Sequence, residues 1–70
     1  MKTNMQEYNG TLIITSPDGK FRAEIEVQTG QILMDETPDV TIDELHRFTH
    51  AARSRYRKFL NSKAADSFID

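Results

Sequence analysis

The sequence predicts a small α+β domain in which a three-stranded antiparallel β-meander precedes one long C-terminal amphipathic helix. Three observations support this prediction: a segment that alternates apolar and polar side chains, short turn sequences on both sides of it, and a capped helical pattern after Pro38. The 70 residues allow one domain, residues 1–70, near the lower size limit for independent folding. Residues 1–9 and 64–70 are expected to be flexible.

The central strand of the predicted sheet is the clearest element. Residues 21–28 alternate apolar and polar side chains, which indicates a strand with one buried and one solvated face. The β-branched run 11–16 predicts a strand before it, and residues 32–36 predict a strand after it. The connections Ser16-Pro17-Asp18-Gly19 and Thr29-Gly30 are short turns, so neighbouring strands are expected to be antiparallel.

The polar side chains of the central strand predict which face of the sheet the helix covers. Arg22, Glu24 and Glu26 share one face, which we therefore expect to face solvent, with the helix on the other side. Residues 1–9 show no clear period. They are predicted to be a frayed lead-in that reaches the sheet at most at Tyr8.

The helix is predicted to run from about Ile42 to about Asn61. Thr41 and Glu44 fit a capping box, as the N-cap and the third helical residue. The two positions of a hydrophobic staple are also apolar: Val40 and Leu45. An apolar stripe with three- and four-residue spacing then follows on one face: Leu45, Phe48, Ala52, Tyr56 and Phe59.

A helix of this length is expected to overhang the sheet. Twenty helical residues span about 30 Å, whereas a strand of six to eight residues spans about 20–27 Å. The overhanging turns carry three apolar residues: Tyr56, Phe59 and Leu60. We predict that these residues form a homodimer contact or a hydrophobic anchor, because two-fold dimers are the commonest oligomers. Alternatively, the N-terminal residues or the tail at Phe68 and Ile69 fold over these three apolar residues. The other possibility for the tail is a further turn of helix.

Charge is segregated along the chain. Residues 1–44 carry nine acidic and three basic side chains, whereas residues 45–63 carry six basic and no acidic ones. Such segregation favours a polar partner surface. The predicted partner-binding residues lie on the helix: His46, His50, Arg53, Arg57 and Lys58. The alternatives are a solvated helix whose basic end suits the helix dipole, and pairing with the acidic sheet within the chain.

These patterns predict a small non-enzymatic regulatory or interaction protein, an inhibitor or adaptor, that binds a protein partner with an acidic surface. The alternative is nucleic-acid binding through the same helix, which also presents cations to a phosphate backbone. Glu24 and Glu26 disfavour binding of DNA by the exposed sheet face. Domains of this size are frequent among phage and mobile-element regulators, which is an association and not a physical argument.

Several classes of function find no support in the sequence. The chain has no cysteine, no Gly-rich phosphate loop and no nucleophile elbow, so we expect neither an enzyme nor a cofactor. Asp43, His46 and His50 have spacing that suits zinc, but two arginines flank them and the motif is incomplete, so no metal site is predicted. The lack of an apolar leader or a run of about 20 apolar residues predicts a cytoplasmic protein without membrane association.

Overall fold

The structure, a computed structural model, describes residues 2–69, with side chains described for residues 2–63. Its elements are four strands and a helix: β1 (Asn4–Tyr8), β2 (Thr11–Thr15), β3 (Phe21–Glu26), β4 (Ile32–Glu36) and α1 (Ile42–Ile69). The strands form one antiparallel sheet in the order β1-β2-β3-β4. The α+β class, with an antiparallel sheet followed by a C-terminal helix, is confirmed. The sheet has four strands, however, and not the predicted three.

The additional strand comes from the segment that was predicted to be a frayed lead-in, and that prediction is wrong. β1 pairs with β2 along its whole length, from Asn4 opposite Thr15 to Tyr8 opposite Thr11. The connecting residues Asn9 and Gly10 have φ angles of 49° and 79°, as a two-residue type I′ turn requires. Apolar alternation did not reveal β1, because it is an edge strand in which only Met5 packs against the core.

The core lies between one face of the sheet and the helix. Its fully buried apolar side chains come from β2, β3 and α1: Leu12, Ile14, Phe21, Ala23, Ile25, Phe48 and Ala52. The rings of Phe21 and Phe48 stack with centroids 5.1 Å apart, which joins the start of β3 to the helix. Arg22 and Glu26 are exposed on the opposite face, as predicted from the alternation.

The predicted start of the helix is confirmed. The Thr41 amide donates to Glu44 Oε1 and the Glu44 amide donates to Thr41 Oγ1, both at 3.1 Å, which is a complete capping box. Val40 and Leu45 both pack against the core, as a hydrophobic staple requires. The helix continues to Ile69 and does not end near Asn61. The alternative in which the tail docks through Phe68 and Ile69 depends on side chains that lie outside the described ones.

The helix is much longer than the sheet that it covers. Its 28 residues correspond to about 42 Å, whereas a six-residue strand spans about 20 Å. The longest dimension of the molecule is 47 Å. Tyr56 marks the point where the helix passes the end of the sheet, since its hydroxyl donates to the Val27 carbonyl at 2.9 Å. Between residues 2 and 69, no helix combines the length and apolar character needed to cross a membrane.

Candidate functional site

The five residues predicted to bind a partner all have exposed side chains on α1, but they divide between two surfaces. At 100° per residue, four of them fall within an arc of about 60° that faces away from the sheet. We call these four the outer ridge: His46, His50, Arg53 and Arg57. Lys58 turns towards the start of β1, where it lines a groove together with Lys2 and His50. His50 therefore lies at the border between the two surfaces.

Among residues 2–62, no acidic side chain forms an ion pair with the outer ridge. The ion pairs formed among residues 2–62 join Lys20 to Asp39 at 3.5 Å and Arg22 to Glu24 at 3.3 Å, and neither involves the helix. Glu24 pairs with Arg22 on the face of the sheet that the helix does not cover. For residues 2–62, the structure therefore contradicts pairing of the helix with the acidic sheet.

The three residues predicted as a dimer contact or hydrophobic anchor have different environments. Tyr56 is half-buried and packs closely on Gly30, since a Cβ at that position would lie 3.4 Å from the Tyr56 hydroxyl oxygen. Phe59 is also half-buried and packs against the core. Leu60 is 37% exposed and lines a shallow groove beside β4. Of the three, Leu60 has the side chain that is most accessible to a partner.

The shallow groove beside β4 combines cationic and apolar side chains. It has a volume of about 360 Å³ and is lined by Gly30, Ile32, Arg53, Tyr56, Arg57 and Leu60. The two arginines of the outer ridge thus stand beside an aromatic ring and an exposed leucine. Arginine and aromatic side chains are enriched among the residues that contribute most to protein interfaces.

A second groove, which we call the N-terminal groove, lies between the residues that lead into β1 and the helix. It has a volume of about 520 Å³, and its described lining residues include no acid. They are Lys2, Thr3, Asn4, His50, Ala51, Ser54, Arg55 and Lys58. Sequence reasoning missed Lys2 and Arg55 as site residues because it left residues 1–9 outside the sheet. The hairpin signal Asn9-Gly10 could have placed them.

Arg55 is held in a fixed position in this groove. Its Nε donates to Thr3 Oγ1 at 3.1 Å, and its Nη2 donates to the Thr3 carbonyl oxygen at 2.8 Å. The guanidinium has five N–H donors, so three remain to face the groove. Because the side chain is already ordered, less conformational entropy is lost when it binds an anion.

The open face of the sheet is a separate, predominantly acidic surface. It carries the charged side chains of β3 and its neighbour β4: Arg22, Glu24, Glu26 and Asp35. Tyr8 and Leu33 are exposed by 69% and 61% on the same side of the sheet. The molecule therefore presents opposite charge on opposite sides, with the core between them.

The zinc-like spacing on the helix does not produce a ligand cluster. Asp43, His46 and His50 are all exposed. Across the described residues, no group of three or more His, Cys, Asp or Glu side chains is arranged to hold a metal ion. The structure adds no further ligand to the incomplete motif.

Among the side chains that the structure describes, two carboxyl groups have displaced pKa values, and both lie in turns away from the basic surfaces. The hydrogen bond from the Ser16 hydroxyl, followed by the Lys20 amide, lowers the pKa of Asp18. The hydrogen bond from the Thr37 hydroxyl lowers the pKa of Asp39, with a smaller contribution from the charge of Lys20. Both shifts stabilise the ionised form of a turn residue, so they do not indicate acid–base chemistry.

Comparison with other proteins does not assign the chain to a family. No protein-family model matches it, and neither the curated proteins nor the solved structures include a match. Its function must therefore be argued from the charge, burial and geometry of its own surfaces.

Proposed function

We propose that this protein is a small, non-enzymatic regulatory or interaction protein whose outer ridge binds an acidic surface on a protein partner. The observation that carries the proposal is that Arg53 and Arg57 are exposed and form no ion pair with an acid among residues 2–62. The chain as a whole has a net charge of −2, so this basic surface is a local feature. Electrostatic complementarity of this kind speeds association and selects partners by charge.

The surroundings of the ridge favour a protein partner. Arg53 and Arg57 share the shallow groove beside β4 with the half-buried ring of Tyr56 and with Leu60. An acidic peptide segment could place its carboxylates on the two guanidinium groups and an apolar side chain against Leu60. Such a mixture of charged and apolar contacts is typical of protein interfaces.

Self-association through the C-terminal half of the helix is the second part of the proposal. Leu60 is exposed on a helix that extends beyond its own sheet, and a second copy would cover it. Size-exclusion chromatography with light scattering should show a dimer of the 8.1 kDa chain that Leu60→Glu converts to monomer. Ser62→Glu, which adds the same charge on another side of the helix, should leave the dimer intact. A monomeric wild-type protein at all concentrations would exclude the dimer.

Nucleic-acid binding by the same ridge is the second candidate function. The observation that favours it is the lack of acidic residues from position 45 to position 63, so a phosphate backbone along the helix would meet no like charge. The acidic open face of the sheet lies on the other side of the core. This mode predicts affinity that falls steeply with salt concentration.

A pull-down with matched variants tests both candidates. Arg53→Gln combined with Arg57→Gln removes two positive charges, and Gln6→Glu combined with Gln28→Glu changes the net charge equally at exposed sites away from the ridge. A partner retained by wild type and by the second pair, lost with the first pair and resistant to nuclease supports protein binding. Loss on nuclease treatment, with salt-dependent binding of duplex DNA or single-stranded RNA, supports the second candidate. Equal retention by both pairs would contradict a role for the ridge.

A further inference from the structure

We propose that the N-terminal groove is a binding site for a phosphomonoester group, carried by a phosphorylated side chain or by a small phosphorylated compound. The groove lies between the residues that lead into β1 and the flank of the helix that faces them. The proposal does not use Arg53 or Arg57, so it adds a second site to the ridge and does not depend on the function proposed above.

The charge of the groove suits a dianion. Lys2, Arg55 and Lys58 contribute three positive charges, and none of the described lining residues is acidic. The ammonium groups of Lys2 and Lys58 form no ion pair among residues 2–62. A phosphomonoester carries a charge of about −1.5 to −2 at neutral pH, whereas a single carboxylate carries −1. The groove therefore favours phosphate over an isolated acidic side chain.

The arrangement of the donors suits a tetrahedral anion. Lys2 approaches from the N-terminal wall, whereas Ser54, Arg55 and Lys58 approach from the helix. The oxygens of a phosphate point in several directions and can accept hydrogen bonds from both walls. A carboxylate accepts hydrogen bonds mainly in one plane, which a guanidinium alone can satisfy.

The most rigid donor in the groove is already positioned. Both hydrogen bonds from Arg55 go to Thr3, and they use one edge of the guanidinium. The remaining N–H groups are left for a ligand, together with the half-buried hydroxyl of Ser54. Since Thr3 immediately precedes β1, the β1–β2 hairpin determines where Arg55 is held.

The size of the groove favours a phosphate attached to a larger carrier. Its volume of about 520 Å³ lies within the range of about 300–1,000 Å³ that is typical of small-molecule sites. A phosphate ion alone would leave much of this space to water. A phosphorylated side chain with its neighbouring residues, or a small phosphorylated compound, would fill it better.

The first test is a titration of the ¹⁵N-labelled protein with inorganic phosphate, followed by the amide resonances of Thr3, Ser54 and Arg55. These resonances should shift together and saturate, and Lys58→Gln should weaken binding by about tenfold through loss of one charge-assisted hydrogen bond. Arg47→Gln makes the same charge change at an exposed helix residue that lines neither groove, and it should alter binding by less than about twofold. Lys58 is exposed and forms no ion pair or side-chain hydrogen bond with residues 2–62, so its variant should remain folded.

Two further ligands identify the carrier. A phosphoserine peptide that binds more tightly than inorganic phosphate indicates a phosphorylated protein segment, and equal affinities indicate a small phosphorylated compound. The same peptide with glutamate in place of phosphoserine should bind much more weakly. The proposal is overturned if the three resonances do not move, if the glutamate peptide binds equally well, or if Arg47→Gln and Lys58→Gln have equal effects. None of these results would affect the pull-down with the variants of Arg53 and Arg57.

Discussion

The two halves of α1 differ in what their apolar side chains contact. Residues 42–56 lie on the sheet, where Phe48 and Ala52 are fully buried. Residues 57–69 extend past the end of the sheet, where Phe59 is half-buried and Leu60 is 37% exposed. The same three- and four-residue spacing runs through both halves. An apolar stripe therefore indicates which side of a helix seeks burial, and the length of the sheet decides how much of it is buried.

The buried side chains that stabilise the fold lie in the first half of the helix, whereas exposed residues of both halves belong to the proposed binding surfaces. The first half contains the capping box and the ring of Phe48 that stacks on Phe21, so changes there should cost folding free energy. The second half begins with Arg57 and Lys58, which are exposed and belong to the two proposed binding surfaces. Changes there should alter binding with little effect on folding.

The largest expected effect is the loss of the Phe48 side chain. Phe48→Ala should lower the free energy of unfolding by about 3–5 kcal/mol, because it opens a cavity between helix and sheet. That is most of the stability of a small domain, at the lower end of about 5–15 kcal/mol. The free energy of unfolding is measured by urea denaturation, with circular dichroism as the probe. Leu60→Ala should change the same quantity by less than about 1 kcal/mol. Equal losses of unfolding free energy in Phe48→Ala and Leu60→Ala would show that the two halves of the helix are equally well packed.

Removal of the helix cap should have the next largest effect. Thr41→Ala should lower the free energy of unfolding by about 1 kcal/mol, because it leaves the Glu44 amide without its side-chain acceptor. The measurement is again a urea titration. Thr41→Ser keeps the hydroxyl and should retain most of the lost stability. If both variants unfold like wild type, the cap does not stabilise the half of the helix on the sheet.

Tyr56→Phe tests the boundary between the two halves. The variant loses the hydrogen bond to the Val27 carbonyl and should be destabilised by about 0.5–1.5 kcal/mol, as measured by thermal unfolding. Tyr8→Phe removes the same hydroxyl from a side chain that is 69% exposed, and it should unfold like wild type. An unchanged melt for Tyr56→Phe would place the end of the sheet-bound half earlier in the helix.

The smallest effect concerns the turn of the sheet that supports the first half. Because the Ser16 hydroxyl lowers the pKa of Asp18 below its ordinary value of 3.8, the ionised carboxylate stabilises the folded state above that pH. This contribution is lost as the pH falls through the lowered pKa. Asp18→Asn should therefore melt below wild type near neutral pH, with a difference that shrinks in acid. An Asp18→Asn variant that melts like wild type at neutral pH would contradict this contribution of the turn.

Much of the sheet could be predicted, but the end of β3 could not. Residues 32–36 form a strand as predicted, whereas β3 ends at Glu26 and not at Gln28. Val27 continues the apolar alternation, and its amide still donates to the Gly10 carbonyl at 3.0 Å, one position beyond the β2–β3 pairing. The Gly30 amide, however, donates to the Glu26 carbonyl at 2.8 Å, so the turn to β4 begins at Glu26. Alternation shows which side chains share a face, but it does not show which backbone groups pair.

For the candidate site, the sequence predicted the residues whose positions follow from the helix alone, but not those whose positions depend on another element. The exposed residues of the helix, such as Arg53 and Arg57, could be placed from periodicity alone, because a helix arranges its own side chains. The same periodicity places Arg55 at the border of the apolar stripe. Its position in a groove depends on Thr3, which is 52 residues away in the chain.

The amino-acid sequence by itself determined the features that depend on neighbouring residues: the capping box at Thr41, the alternation of β3 and the basic segment 45–63. These features need only hydrogen bonds and side-chain directions within a few residues. Tertiary structure alone decided that the Tyr56 hydroxyl meets the Val27 carbonyl, that Arg55 is held by Thr3, and that Lys2, Arg55 and Lys58 line one groove. The physical reason is that these contacts and the groove are completed by residues far apart in sequence, which no local pattern records.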